Sequence, residues 1–107
     1  SVYYGYFKNG RIDLADVGVY QTEGVGEDHL TKCMDFSVVN DAVQYNDANA
    51  FGMVRELAKT EGLFVGPSAG GNLFAVRELI KKLDGPARIA TVLQDHGAKY
   101  VSKYCAA

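Results

Sequence analysis

The sequence predicts an α/β protein built on an open, largely parallel β-sheet. Short apolar segments rich in β-branched residues alternate with segments of helical periodicity. The segment 88–93 is an almost continuous apolar run, which is typical of a strand buried on both faces of a parallel sheet. A glycine-rich connection at 66–71 joins a predicted strand to a predicted helix, and it completes the α/β pattern.

The first 29 residues show no sustained helical period and are rich in glycine and tyrosine. They predict loops, a turn at Asn9 and Gly10, and a short strand over 17–22. Because long irregular stretches usually belong to a site or to a larger assembly, this opening favours the interior of a larger protein. A helical turn over 27–33 and a strand over 38–45 are predicted next.

Two amphipathic helices are predicted in the second half of the chain. The first follows a cap at Asn46 and Asp47, buries residues spaced three and four apart from Ala50 onward, and ends at Gly62. A short strand over 63–65 leads into the glycine loop 66–71. The second helix follows this loop, carries Lys81 and Lys82 in its last turn, and ends before Gly85. A strand over 88–93, a loop over 94–97 and a closing helix over 99–104 complete the order.

Composition limits the classes of partner. The 107 residues include 11 basic and 13 acidic side chains, so the net charge is −2, with both signs spread along the chain. This balance disfavours binding to nucleic acid or to an anionic membrane. No apolar run approaches the roughly 20 residues that span a bilayer, and the start lacks the pattern of a signal peptide. We expect one cytoplasmic domain, or part of one, with Cys33 and Cys105 as free thiols.

The carboxyl ends of the predicted strands indicate where a ligand would bind. The loops 66–71 and 94–97 both follow such ends. Gly66 and Gly70 permit close approach of a ligand to the backbone, Ser68 supplies a hydroxyl, and the helix start behind them presents free N–H groups. A glycine loop between a strand and a helix is also a common purely structural element, so both interpretations stay open.

The residues 66–70 also fit the G-x-S-x-G pattern of a serine hydrolase, with Ser68 as nucleophile. That chemistry needs a histidine beside the serine and a carboxylate that orients the histidine. Asp95 and His96 follow in the required order, but neighbours on an extended segment point in opposite directions. A second glycine pair, Gly24 and Gly26, lacks the third glycine of a dinucleotide-binding loop, so no NAD site is predicted.

Several segments, taken in order, resemble the C-terminal half of the pyridoxal-phosphate (PLP) enzymes of the tryptophan-synthase-β fold. Within that fold they are most similar to cystathionine β-synthase and cysteine synthase. The resemblance covers nearly the whole chain and implies a three-layer αβα open-sheet fold. The matching segments are 23–26, 34–39, 50–51, 61–66, 68–70, 93–95 and 100–104.

The resemblance implies a role for each matching site residue. Ser68 would hydrogen-bond the pyridine nitrogen of PLP, Gly24, Val25 and Gly26 would line the site, and Asp95 would belong to the cofactor-binding residues. A neutral hydroxyl does not stabilise a protonated ring nitrogen, so the cofactor would be a weaker electron sink. This favours β-elimination over reactions that need stronger electron withdrawal by the ring. Pro67 and His96 depart from the residues that the family commonly carries at these positions.

The activity implied is β-replacement through an aminoacrylate. The products would be cystathionine from serine and homocysteine, or cysteine from O-acetylserine or serine and sulfide. The family's Schiff-base lysine, substrate-carboxylate loop and phosphate-binding loop have no counterpart in these 107 residues. Residues 1–107 are therefore expected to be the C-terminal portion of a single catalytic core, inactive alone, and part of a homodimer. A non-catalytic binding module of the same fold and a serine hydrolase remain the alternatives.

Overall fold

Helices form the framework of residues 1–105, the part of the chain that the computed structural model describes. None of these helices has the length and apolar character needed to cross a membrane. The α-helices are α1 (Tyr3–Asn9), α2 (Asp47–Glu61), α3 (Pro67–Ile80) and α4 (Val101–Tyr104), and short 3-10 helices occupy Leu14–Asp16, Phe36–Val38 and Gly97–Tyr100.

The helices α2 and α3 pack against each other and form the core. Asn46 caps α2 in a reciprocal capping box with Asn49, and Gly62 ends it in the left-handed region at φ 70°. Ala50 and Val54 on α2 are fully buried. Gly70 of α3 lies so close to α2 that a Cβ there would overlap the Ala50 carbonyl oxygen. The absence of a side chain at this position therefore sets how closely the two helices approach.

The predicted helix over 47–61 and its glycine cap are confirmed, whereas the start of the next helix is corrected. The segment 66–71 was predicted to be a loop, but α3 begins at Pro67, with Gly66 as an extended N-cap. Proline suits the first helical position because a backbone N–H at that position would have no partner within the helix, so nothing is lost when proline lacks it. The helix ends at Ile80, so Lys81 and Lys82 lie beyond its last turn.

The predicted open sheet does not form within residues 1–105. The segments 17–22, 38–45 and 88–93 carry no strand, and the pairing near the glycine turn is one isolated antiparallel bridge between Val65 and His96. Strand propensity reports how well a side chain fits a pleated, half-buried surface, and it needs a neighbouring strand to become a sheet. The layered arrangement stays a prediction.

Two further predictions for the first half of the chain are wrong. Residues Tyr3–Asn9 form α1 instead of a loop, capped by Gly10 at φ 72°. The stretch 27–33, predicted to be a helical turn, carries no helix. At the other end, the predicted closing helix over 99–104 is divided between a 3-10 turn and α4.

Candidate functional site

Ser68 lies in the first turn of α3 and is buried, with 6% of its surface exposed. Gly66 is extended (φ −71°, ψ 165°) and Pro67 fixes the first helical position, so the chain turns sharply into the helix. The N-terminus of a 14-residue helix has unpaired N–H groups and a partial positive charge. Residues 66–68, called the Ser68 turn below, thus place one neutral hydroxyl at the positive end of a helix.

The loop 94–97 packs directly onto the Ser68 turn, as the topology predicted. A Cβ at Gly66 would lie 2.9 Å from the Asp95 Cβ and 3.1 Å from the Gln94 carbonyl oxygen. The Gly97 N–H donates to the Phe64 carbonyl at 3.0 Å, beside the bridge between Val65 and His96. The two loops that were expected to meet at a ligand site are therefore in contact.

The Asp95 carboxylate is held by residues that closely follow it in the sequence. It accepts hydrogen bonds from the Tyr100 hydroxyl at 2.5 Å and the His96 N–H at 2.8 Å, and Lys99 Nζ lies 3.1 Å away. The Tyr100 hydroxyl, helped by the other two groups, lowers the pKa of Asp95 to about 2. The same hydrogen bond raises the pKa of Tyr100 to about 12. Asp95 is thus ionised at neutral pH and is suited to fixing the loop.

Replacing Tyr100 with phenylalanine should raise the pKa of Asp95 from about 2 toward its ordinary value of 3.8, because the strongest donor is lost. Side-chain carboxyl NMR titration measures this change. In the native protein the folded pKa lies below the unfolded one, so this contribution to stability is complete above about pH 4 and is lost as the pH falls toward 2. Tyr3→Phe, which removes a hydroxyl bonded to Thr31, serves as the control. An unchanged Asp95 titration in Tyr100→Phe contradicts the assignment.

Gly24, Val25 and Gly26, called the 24–26 loop, line a cavity of about 1020 Å³. That volume is at the upper end of the range for small-molecule sites, roughly 300–1,000 Å³. Both glycines adopt left-handed backbone conformations, at φ 78° and 83°. The Gly26 carbonyl accepts a hydrogen bond from the Tyr20 hydroxyl at 3.0 Å. Six aromatic side chains line the same cavity: Tyr3, Tyr4, Phe7, Tyr20, Phe36 and Tyr45.

The residues before the 24–26 loop are anchored from two directions. The Asp47 carboxylate accepts hydrogen bonds from Gln21 N at 2.7 Å, Thr22 N at 3.0 Å and Thr22 Oγ1 at 2.7 Å. Burial raises the pKa of Asp47, but the bonds from Thr22 and Gln21 outweigh it and lower the pKa overall. From the other side, Lys103 Nζ donates to the Gln21 carbonyl at 2.9 Å and to Glu23 Oε1 at 2.7 Å.

The structure brings the predicted site residues together in two groups. Ser68 and Asp95 belong to the contact between the Ser68 turn and loop 94–97, whereas the 24–26 loop lines the cavity. Tyr45 joins the groups, since its ring lines the cavity and also packs on Gly71 of α3. Its buried hydroxyl has no hydrogen-bond partner among residues 1–105. Tyr45 was not predicted as a site residue, because its position in a predicted strand carried no functional signal.

The geometry disfavours the serine hydrolase. A catalytic histidine must donate from Nδ1 to the orienting carboxylate. Here His96 Nδ1 accepts a hydrogen bond from the Ala98 N–H at 3.0 Å, so that nitrogen is an acceptor. Asp95 accepts from the backbone of His96, and its two oxygens are engaged by Tyr100 and Lys99. The pair cannot act as a proton relay for Ser68 in this arrangement.

No family model matches the chain, but curated relatives do. The "O-acetylserine dependent cystathionine beta-synthase" of Bacillus subtilis (strain 168) is 38% identical over 84 residues, which are 78% of this chain and 27% of that protein. "Cysteine synthase B" of Campylobacter jejuni is 32% identical over 91 residues, 85% of this chain and 30% of that protein. The chain therefore spans less than a third of the length of either relative.

Comparison with solved structures points to the same group of enzymes. O-ureido-L-serine synthase superposes with a TM-score of 0.77 at 25% identity, over 91% of this chain and 29% of that one. A hydrogen sulfide-producing enzyme, a D232N mutant solved with an α-aminoacrylate intermediate, superposes with a TM-score of 0.75 at 29% identity, over 91% and 28%. Sequence and fold thus agree that the chain belongs to the PLP-dependent family of cystathionine β-synthases and cysteine synthases.

Proposed function

We propose that the protein carrying this chain is a PLP-dependent β-replacement enzyme. Its products would be cystathionine, from serine and homocysteine, or cysteine, from O-acetylserine or serine and sulfide. The names of the relatives support this class of reaction. Residues 1–107 would form the C-terminal portion of one catalytic core, inactive without the Schiff-base lysine that the rest of the core would supply. We propose a cytoplasmic homodimer as its working form.

The observation that carries the proposal is the hydroxyl group of Ser68, a largely buried residue at the start of α3. A pyridine nitrogen is a hydrogen-bond acceptor when neutral and carries a positive charge when protonated. The positive end of a helix disfavours the protonated form, and a serine hydroxyl can donate to the neutral one. The Ser68 turn therefore fits the pyridine ring of PLP and would keep its nitrogen unprotonated.

The remaining site residues have supporting roles in this proposal. When bound, PLP withdraws electrons from the α-carbon of an amino acid, which lets a leaving group depart from the β-carbon. The 24–26 loop would let its backbone approach the cofactor and the amino acid closely, since Gly24 and Gly26 carry no side chain. The aromatic side chains of the adjoining cavity would give the site an apolar lining. Asp95 would hold loop 94–97 against Gly66, and so preserve the position of the Ser68 turn.

The open sheet belongs to the same proposal. Val92, Leu93 and Leu63, in two of the predicted strands, are 67%, 38% and 48% exposed. Large apolar side chains that are this exposed in predicted strands are expected where other parts of a larger core cover the segment. We expect 63–65 and 88–93 to pair with strands from the rest of the catalytic core, in the three-layer αβα arrangement.

Replacing Ser68 tests the proposed cofactor contact in the full-length protein. Ser68→Ala should lower turnover about tenfold, the effect of losing one hydrogen bond of roughly 1.4 kcal/mol. Ser68→Asp should change reaction specificity, because a carboxylate stabilises the protonated ring nitrogen. The measurements are steady-state turnover, the ratio of replacement to elimination products, and the absorption spectrum of the cofactor. Ser102→Ala, at an exposed serine of α4, is the control. Wild-type behaviour of both Ser68 variants would rule out the assignment.

Borohydride reduction of the native protein, followed by peptide mapping, separates the enzyme from its non-catalytic alternative. A pyridoxyl-lysine outside residues 1–107 supports the PLP enzyme, with this chain as part of its core. A protein that holds no pyridoxyl group after incubation with PLP and reduction would contradict it and support a binding module of the same fold.

A further inference from the structure

The short helix α4 contacts both groups of predicted site residues. Lys103 reaches the segment before the 24–26 loop, through the Gln21 carbonyl and the Glu23 carboxylate. Its neighbour Tyr104 donates from its hydroxyl to the Val65 carbonyl at 2.9 Å, immediately before the Ser68 turn. Arg55 of α2 in turn donates to the Tyr104 carbonyl at 3.2 Å. One turn of helix is therefore a common support for two segments that lie more than 40 residues apart.

The contact that Tyr104 makes with Val65 is buried and rigid. The side chain is 5% exposed, and its ring packs edge-on against Phe51 and Phe64, each with ring centroids 5.6 Å away. The Tyr104 hydroxyl is bonded to a carbonyl and its ring is packed between two other aromatic rings, so the side chain has little freedom to move. The position of Val65, and with it the entry into α3, is thus fixed by the core.

Lys103 holds the residues that lead into the 24–26 loop, whereas Gly26 at the other end of the loop is held by the Tyr20 hydroxyl. Gly24 has open space around it, with no atom within 4 Å of where its Cβ would be. Glu23, directly before Gly24, is exposed, but its carboxylate is held by Lys103 at 2.7 Å. The Lys103 side chain is only 27% exposed and its ammonium group lies 5.7 Å from the centre of the Tyr100 ring. A lysine suits this role, because its ammonium group can donate to two oxygens at once.

We propose that Lys103 is a positioning residue that fixes the 24–26 loop relative to the Ser68 turn, with α4 as the shared support. The inference rests on the proposed function in so far as it assigns these two segments to one cofactor site. In this role Lys103 would touch neither cofactor nor substrate. It acts through the Gln21 carbonyl and the Glu23 carboxylate.

Lys103→Met in the full-length holoprotein is the decisive variant, since it keeps most of the apolar stem and removes every donor. Hydrogen exchange measured by mass spectrometry should become faster in a peptide covering 21–27, and stay unchanged in peptides from α2 and α3. The KM for the amino-acid substrate should rise about tenfold while kcat stays within about twofold, because the loss of charge-assisted hydrogen bonds affects the position of the loop. Lys103→Arg, which retains donors, should restore at least half of the exchange protection.

Lys81→Met is the matched control, because it removes an ion pair of similar length, 2.8 Å to Glu78, which links two residues at the C-terminal end of α3. Exchange in 21–27 that stays at the wild-type rate in Lys103→Met would overturn the proposal. So would faster exchange spread equally over α2 and α3, since that indicates a general loss of stability. The exchange measurement needs no bound cofactor, so the comparison of Lys103→Met with wild type can also be made on the apoproteins. A failure of the PLP assignment in the borohydride experiment is therefore distinguishable from a failure of Lys103 as a positioning residue.

Discussion

Gly70→Ala is expected to lower the free energy of unfolding by about 3 kcal/mol, the upper part of the range for overpacked cores. The added methyl group would overlap the Ala50 carbonyl oxygen and lie 2.8 Å from Val54 Cγ2. The Ala50 carbonyl belongs to the helical backbone of α2 and cannot rotate away, so the two helices must separate and expose core surface. Alanine raises helix propensity by about 1 kcal/mol, which is too little to offset the overlap.

Gly52→Ala provides a matched control for this prediction. Gly52 is also a glycine inside a core helix, but apart from its chain neighbours and the backbone of its own helix no atom lies within 4 Å of its ideal Cβ position. The substitution there should raise the free energy of unfolding by roughly 0.5–1 kcal/mol through helix propensity alone. Urea unfolding of the two variants and the parent measures both effects. Equal stabilities of Gly70→Ala and Gly52→Ala would contradict the close approach of α2 and α3.

Asp47→Ala should lower the free energy of unfolding by about 2 kcal/mol. The carboxylate accepts three hydrogen bonds from Gln21 and Thr22, and Thr22 is 5% exposed. Removing the acceptor leaves the Thr22 hydroxyl and N–H without partners in a buried position, which costs roughly 1–3 kcal/mol. Partial exposure of the carboxylate lets water replace some of these bonds, so the middle of that range applies.

The comparison variant is Asp35→Ala. Asp35 accepts from the backbone N–H and hydroxyl of Ser37 at the start of a 3-10 helix, but both residues are exposed, so water can replace the lost acceptor. Its loss should cost clearly less stability than the loss of Asp47, because water can replace an exposed cap. Chemical unfolding of the two variants, with exchange rates in 21–27, tests the difference. If Asp35→Ala costs as much as Asp47→Ala, the burial argument for Thr22 fails.

Local signals in the sequence were sufficient to predict α2. Its cap at Asn46, its three-and-four apolar spacing and its glycine terminator all depend on neighbours within a few residues. The start of α3 was misplaced by one turn, because Gly70 and Gly71 were interpreted as parts of a loop. They are glycines because α2 and Tyr45 pack against them, which is a tertiary requirement that no local pattern reveals.

The strands were predicted from propensity, and within residues 1–105 their pairing is limited to the isolated bridge between Val65 and His96. Pairing depends on a neighbour, and the resemblance itself indicated that much of the core precedes these residues. The contact between Gly66 and Asp95 was anticipated, because loops that follow strand ends converge. The contacts of Thr22 with Asp47 and of Lys103 with Glu23 were not, since they join residues 25 and 80 positions apart and have no sequence signature.

The reach of Lys103 across 80 to 82 residues also affects when this part of the protein folds. The pairing of α2 with α3 uses residues close in sequence, and can form early. At a translation rate of about 5–20 residues per second, the ribosome adds Lys103 roughly 4–16 seconds after Glu23. Until then the segment 21–27 lacks the contacts of Gln21 and Glu23 with Lys103. It should be the last segment to gain protection from proteases on the nascent chain, and a stall in synthesis before α4 should leave it open to cleavage.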